Sequence, residues 1–266
     1  MRPYADLHIN FWTGCAPVSG GCRECIEQFA GITEENPDIV PDLNQEAPEV
    51  TPAQHFKKGS QQEYLKPYTL KNQQNILVND RSDFFAPQGD SQWRTDAWLT
   101  IKNNPQHRWF ICTKYPERIE KCLPADWGQG YTNVYLGISA ERQSIFHYRA
   151  IKLLEISCHG RFVVFEPLLE PITIEEYISI KLGDVTVNPF SWVLIGGEYG
   201  VNPRICKLPW IQSIVAECIF MGIPVYVKQL GTIIANELQL ASKIGDDKTE
   251  NKYPPTLRYE DTPKKP

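Results

Sequence analysis

Seven short apolar runs punctuate the chain, at 7–12, 75–79, 109–112, 134–138, 161–165, 192–195 and 224–227. They are nearly continuous in β-branched and aromatic residues and do not alternate with polar positions. Such runs read as strands buried on both faces of a parallel sheet. Helical stretches separate them, at about 91–103, 141–156, 173–181 and 208–221. Asp90 and Ser91 offer a cap for the first, and Thr173 with Glu176 makes a capping box for the third. Strands alternating with helices predict an α/β fold. An eighth strand is expected near 48–51, inside a polar region from 26 to 74 that also has room for a long helix. Eight βα units in roughly 250 residues make a (β/α)8 barrel, and a partly open TIM-like barrel also fits. The barrel is expected over residues 1–241, followed by a charged, Pro-rich tail at 242–266.

The pattern of strand ends adds chemistry. One run ends in Asn79-Asp-Arg-Ser82-Asp83, the next in Thr113-Lys114, and the next in Ser139-Ala-Glu141-Arg142. The later runs end in Glu166-Pro167, Gly196-Gly-Glu198 and Lys228-Gln229. In a parallel barrel these C-terminal ends face one mouth, where active sites sit. Each residue also has a plain reading. Glu141 can cap the following helix, Lys114 can pair with Glu117, and Gly196-Gly197 can be turn chemistry. Glu166 lies between an apolar run and a proline, so it is expected to be half-buried and to need a partner. Lys228 and Lys114 are the candidates. Glu166, Glu198 and Lys228 are the expected catalytic group.

Charge and length narrow the class. A chain of 266 residues can bury a full core, and no apolar run approaches the roughly 20 residues of a membrane span. The first residues, Met-Arg-Pro-Tyr-Ala-Asp, contain no apolar signal core. A reducing cytoplasmic location is expected, with no membrane partner. The net charge of −5 gives no global attraction to nucleic acid, which leaves room only for a local basic mouth.

Cys15, Cys22 and Cys25 are spaced C-x6-C-x2-C, and Pro17, Gly20 and Gly21 tighten the loop between the first two. Three thiolates can converge there. Structural zinc sites and ordinary iron–sulfur sites take four protein ligands. A 4Fe–4S cluster on three cysteines leaves one iron open for a substrate or cofactor. Two other readings stand beside it: plain buried thiols, or zinc with His8 as a fourth ligand. The chain has eight cysteines, but their spacing is not that of a disulfide framework. Cys112, Cys122, Cys158, Cys206 and Cys218 sit in apolar contexts and read as ordinary thiols.

The cysteine run, Val78-Asn-Asp-Arg-Ser-Asp-Phe-Phe85, Thr113-Lys-Tyr-Pro-Glu-Arg118, Leu136-Gly-Ile-Ser-Ala-Glu141, Phe165-Glu-Pro-Leu-Leu169, Trp192-Val-Leu-Ile-Gly-Gly-Glu-Tyr-Gly200 and Val227-Lys-Gln-Leu-Gly231 occur in an order that resembles the phage Gp37/Gp68 family. That family is grouped with the radical S-adenosylmethionine enzymes. The chain departs from its pattern at Cys25-Ile-Glu, Asp80 and Tyr115, and across 26–74. The resemblance implies a 4Fe–4S cluster on Cys15, Cys22 and Cys25, with S-adenosylmethionine on the open iron. It implies an external electron donor such as flavodoxin and cleavage of the sulfonium to a 5′-deoxyadenosyl radical that abstracts hydrogen. Cofactor contacts are then expected from Ser82, Asp83, Thr113, Lys114, Ser139, Glu141 and Arg142. The implied substrate is a group on a modified nucleobase in phage DNA, rearranged or otherwise modified in the cytoplasm of the infected host. A free nucleoside or other small molecule and a zinc-binding interaction module are the alternatives. Arg81, Arg94, Arg118, Arg142, Arg204 and Lys228 are candidates to line the mouth. Trp12, Phe84, Phe85 and Tyr199 are candidates to stack on a flipped base.

Overall fold

The structure, a computed structural model, describes residues 5–16, 18–22, 56–175, 180–182, 185–187, 189–200 and 202–240. Cys25, the expected strand near 48–51 and the tail at 242–266 lie outside the described residues. In chain order the elements are β1 (Leu7–Ile9), β2 (Trp12–Thr13), β3 (Lys57–Lys58), α1 (Gln61–Thr69), β4 (Asn75–Val78), α2 (Ser91–Lys102), β5 (Arg108–Thr113), α3 (Ile119–Cys122), β6 (Val134–Ser139), α4 (Gln143–Leu154), β7 (Gly160–Phe165), β8 (Ile180–Leu182), β9 (Val185–Val187), β10 (Trp192–Gly196), α5 (Leu208–Phe220), β11 (Val225–Gln229) and α6 (Gly231–Glu237). Every one of the seven apolar runs contributes a strand to one sheet, in the order β1-β4-β5-β6-β7-β10-β11. The β1–β4, β4–β5, β7–β10 and β10–β11 pairings are parallel. The fold is therefore mixed α/β on a seven-stranded sheet, with β1 and β11 as its two ends among the described residues.

Two local expectations change. The apolar run at 7–12 breaks after Ile9, and Trp12–Thr13 turns to pair antiparallel with Lys57–Lys58. The helix expected at 173–181 does not reach its predicted end: Ile180–Leu182 is a strand paired antiparallel with Val185–Val187, and 176–179 lie outside the described residues. The run from Ile180 to Val187, split by Gly183-Asp184, carries a hairpin signal.

The described residues divide into two compact units, those of Ala5–Gly137 with Glu155–His159, and those of Ile138–Leu154 with Gly160–Leu240. In the first, an aromatic cluster sits directly beneath the cysteine loop. Trp12 stacks on Phe84 at 5.0 Å, and Phe84 meets Phe85 and Trp98 edge-on at 5.2 and 5.1 Å. Trp12, Phe84 and Phe85 are 0% exposed. They are core, and the expectation that they stack on a flipped base is corrected: runs of aromatic residues at a strand end were closing this core. Arg94 spans the same cluster, donating to the carbonyls of Phe84, Ala86 and Gly89 from α2, which Asp90 caps through the Gln92 and Trp93 amides.

In the second unit, β7, β10 and β11 are nearly all apolar and buried. Gly196 ends β10 and Gly197 follows it, where two chain segments cross. A Cβ on Gly197 would lie 2.4 Å from the Leu230 carbonyl oxygen and 2.8 Å from the Gly231 Cα. A Cβ on Gly196 would lie 2.9 Å from Glu166 Oε1. The pairing of β10 with β11 also shifts register here, from Ile195 opposite Val227 to Gly196 opposite Gln229, so Lys228 is skipped as in a β-bulge.

Because the Gly197 contact is backbone on backbone, Gly197→Ala is expected to destabilise the protein by about 1–3 kcal/mol or more. Thermal unfolding followed by circular dichroism checks this, and an unchanged melting temperature would contradict the crossing geometry.

Candidate functional site

The strand-end residues gather into separate groups, and the first unit holds the cysteine group. Asn79 closes β4 in the left-handed conformation, φ 54°. Its side-chain oxygen accepts from the Phe11 amide at 2.9 Å, and its own amide donates to the Ile9 carbonyl at 2.8 Å. Ser82 then meets Gly14 in a parallel bridge, and its hydroxyl donates to the Trp12 carbonyl at 2.9 Å. These bonds anchor the start of the cysteine loop to the end of β4. The loop closes in a 3-10 turn over Gly20–Cys22, with the Cys22 amide on the Ser19 carbonyl at 2.9 Å.

Asp83 is the buried hub of this group. Its carboxylate accepts from Thr113 Oγ1 at 2.6 Å, the Lys114 amide at 2.7 Å and the Phe85 amide at 2.9 Å. Burial raises its pKa, and these donors only partly offset that. Fixed by Asp83, Lys114 extends its ammonium to Cys22 Sγ at 3.0 Å. Cys22 is 3% exposed. Burial alone pushes a thiol upward, as at Cys206, which it raises to about 12. At Cys22 burial is outweighed by the Lys114 charge and hydrogen bond and by the backbone at Val18 and Ser19, so its pKa falls below the ordinary thiol value. Cys15 is exposed on the same loop. The buried Ser19 hydroxyl has no hydrogen-bond partner among the described residues.

The donor set suits a thiolate-ligated iron–sulfur centre: two cysteines on one loop, a cation at the buried one, and an unsatisfied hydroxyl between them. Among the described residues no group of three or more His, Cys, Asp or Glu side chains is assembled for a metal. His8, the alternative fourth ligand for zinc, turns Nδ1 to Asp80 Oδ2 at 2.5 Å. Asn10 donates to the other Asp80 oxygen at 2.6 Å and accepts from the Arg81 amide at 3.0 Å. This His8–Asp80–Asn10 cluster is absent from the expected site residues. Its signal was a polar residue, His8, inside an apolar run.

The second unit holds four further ion pairs among the described residues. Glu166 accepts from Lys228 Nζ at 2.7 Å and from Gln229 Nε2 at 2.9 Å. Neighbouring strand residues normally point to opposite faces, and the bulge lets both reach one carboxylate. Gln229 also donates to the Gly197 carbonyl at 2.6 Å and accepts from the Gly231 amide at 2.8 Å. The Glu166–Lys228 pair is 20% and 33% exposed, so it is open to solvent on one side. Glu198, 3% exposed, is clamped by Arg204, which reaches it through its amide at 2.7 Å, its Nε at 2.9 Å and its terminal nitrogen. Glu141 is 2% exposed and faces Arg149 at 3.6 Å, while Arg149 donates to the Ser139 carbonyl at 2.6 Å. Arg142 pairs with Glu170 at 3.1 Å. The sequence offered no sign of Arg149 or Glu170, since both look like ordinary surface charges.

Several arginines expected to face a ligand are thus engaged inside the protein. Arg94 and Arg118 bind main-chain carbonyls, Arg142 binds Glu170, and Arg204 binds Glu198.

Among the described residues, no helix is long and apolar enough to cross a membrane. A protein-family model described as a protein of unknown function (DUF5131) matches residues 3–255. No curated protein matches the chain, and no solved structure does.

Arg204→Met leaves the buried Glu198 carboxylate without its cation and is expected to cost about 3–5 kcal/mol, toward the lower end because Arg204 is partly exposed. Denaturant unfolding measures it, and adding Glu198→Gln should recover part of the loss. Asp80 behaves differently. The His8 and Asn10 hydrogen bonds outweigh burial and hold its pKa below the ordinary 3.8. The unfolded chain therefore takes up the proton first as pH falls, so the stabilisation is complete above that value and disappears in stronger acid. Asp80→Asn should lower the denaturation midpoint near neutral pH and match the parent protein in strong acid. A difference that persists in strong acid would refute the assignment.

Proposed function

The chain belongs to the DUF5131 family, and we propose that it is a radical S-adenosylmethionine enzyme acting on a group carried by a modified nucleobase. One observation carries the reading: in a loop spaced C-x6-C-x2-C, the buried Cys22 is held toward its thiolate form by Lys114. A thiolate is the form that ligates metal. Cys15, Cys22 and Cys25 are the proposed ligands of a 4Fe–4S cluster. When bound, that cluster with S-adenosylmethionine supplies one-electron cleavage of the sulfonium, and so hydrogen abstraction from an unactivated C–H bond.

The remaining roles belong to side chains of this chain. Asp83 and Thr113 set the position of Lys114, and Ser82 ties the loop to β4. In the second unit, the half-open Glu166–Lys228 pair is read as the group that binds a polar ligand and exchanges protons with it. In the same unit Glu141 and Glu198 are held by Arg149 and Arg204.

A second reading of the substrate is favoured by the arginines. With Arg94, Arg118, Arg142 and Arg204 engaged internally and a net charge of −5, a free nucleoside suits the chain better than a DNA polymer. DNA binding that weakens steeply with salt would favour the polymer; no binding at low salt would favour the nucleoside.

Anaerobically prepared protein is expected to be brown, with about four iron and four sulfide per chain. Replacing Cys15, Cys22 or Cys25 by Ala should abolish this, and Cys158→Ala should not. With dithionite and S-adenosylmethionine, 5′-deoxyadenosine should form. A colourless protein carrying one zinc would refute the proposal.

A further inference from the structure

We infer that Lys114 is a positioning residue that raises the reduction potential of the iron–sulfur centre through its hydrogen bond to Cys22. The inference rests on the cluster reading above and extends it, because Lys114 had been expected to contact S-adenosylmethionine. Its ammonium lies 3.0 Å from Cys22 Sγ. That contact is held from behind. The Lys114 amide is fixed on Asp83 at 2.7 Å, and Thr113 beside it shares the same carboxylate at 2.6 Å. The Thr113 hydroxyl also accepts from the Tyr115 amide at 2.9 Å, so the backbone on both sides of Lys114 is pinned.

The electrostatic sign follows from charge counting. Reduction adds one electron, and hence one negative charge, to a centre already ligated by thiolates. A cation donating to one ligand sulfur stabilises the more negative state more strongly, which favours reduction. The effect is large where water is excluded, and Cys22 is 3% exposed. Ser19, buried on the same loop with no partner for its hydroxyl among the described residues, offers a second and weaker donor.

The test is a dithionite titration of the full chain loaded with iron and sulfide, followed by electron paramagnetic resonance, with dithionite as the source of the electron. Lys114→Met should bind the same iron and become harder to reduce. The expected shift is about tenfold in the reduction equilibrium, or about 59 mV for a one-electron couple. Lys114→Arg, which keeps a charged donor, should recover most of it. Ser19→Ala should shift the potential the same way by less. Iron loss from Lys114→Met with an unchanged melting curve would make Lys114 a residue that retains the metal, and would overturn the inference. An unchanged potential at full iron content would overturn it. So would an Arg variant shifted as far as Met, or iron loss with a lowered melting curve, which would make Lys114 a residue of the fold. Parent protein that binds no iron would remove the cluster reading itself, and the inference with it.

Discussion

A single buried carboxylate organises the cysteine-bearing end of this protein. Asp83 accepts three hydrogen bonds from three places: the side chain of Thr113, the backbone of Lys114 and the backbone of Phe85. It joins the turn after β4 to the end of β5. A buried carboxylate is costly without such donors, and its raised pKa shows that they compensate only in part. The return is positional. Phe85 carries the aromatic floor under the loop, and Lys114 carries the cation above Cys22. One polar hub therefore sets both the apolar support and the electrostatics of the thiol loop.

The second unit solves a similar problem with ion pairs. Glu166, Glu198 and Glu141 follow successive strands, yet they meet different environments. Glu198 and Glu141 are almost wholly buried against arginines, and such pairs fix geometry more than they add stability. Glu166 keeps part of its surface in solvent and has a lysine, which is compact, mobile and able to give up a proton. Of the three, Glu166 is the one whose ion pair keeps a solvent-facing side.

The strands were legible because seven apolar runs are too continuous to be anything but buried, and each one forms a strand. The Glu166–Lys228 partnership was legible as well, since a carboxylate between an apolar run and a proline must be balanced. Other features were hidden for identifiable reasons. Trp12, Phe84 and Phe85 looked like a stacking surface because a sequence does not say which side of a strand end is covered. Arg149 looked like a solvent charge and Arg204 like a mouth-lining cation because their partners lie 8 and 6 positions away, across a turn that only the fold closes. His8 gave a signal, a polar residue in an apolar run, but its partner Asp80 lies 72 residues distant. The hairpin at 180–187 follows its β-branched residues on either side of Gly183-Asp184.

The bulge in β11 has a consequence for how this protein can vary. Glu166 collects two donors from adjacent residues only because one residue is inserted into the ladder opposite Gly196. Straightening this bulge by a one-residue change elsewhere in β11 would restore strict alternation and turn one of the two donors away, even with every named side chain still present. The hydrogen bonding around Glu166 is thus encoded in chain length as much as in chemistry. Relatives that keep the glutamate, the lysine and both glycines but differ by one position here would share the motif without sharing the site.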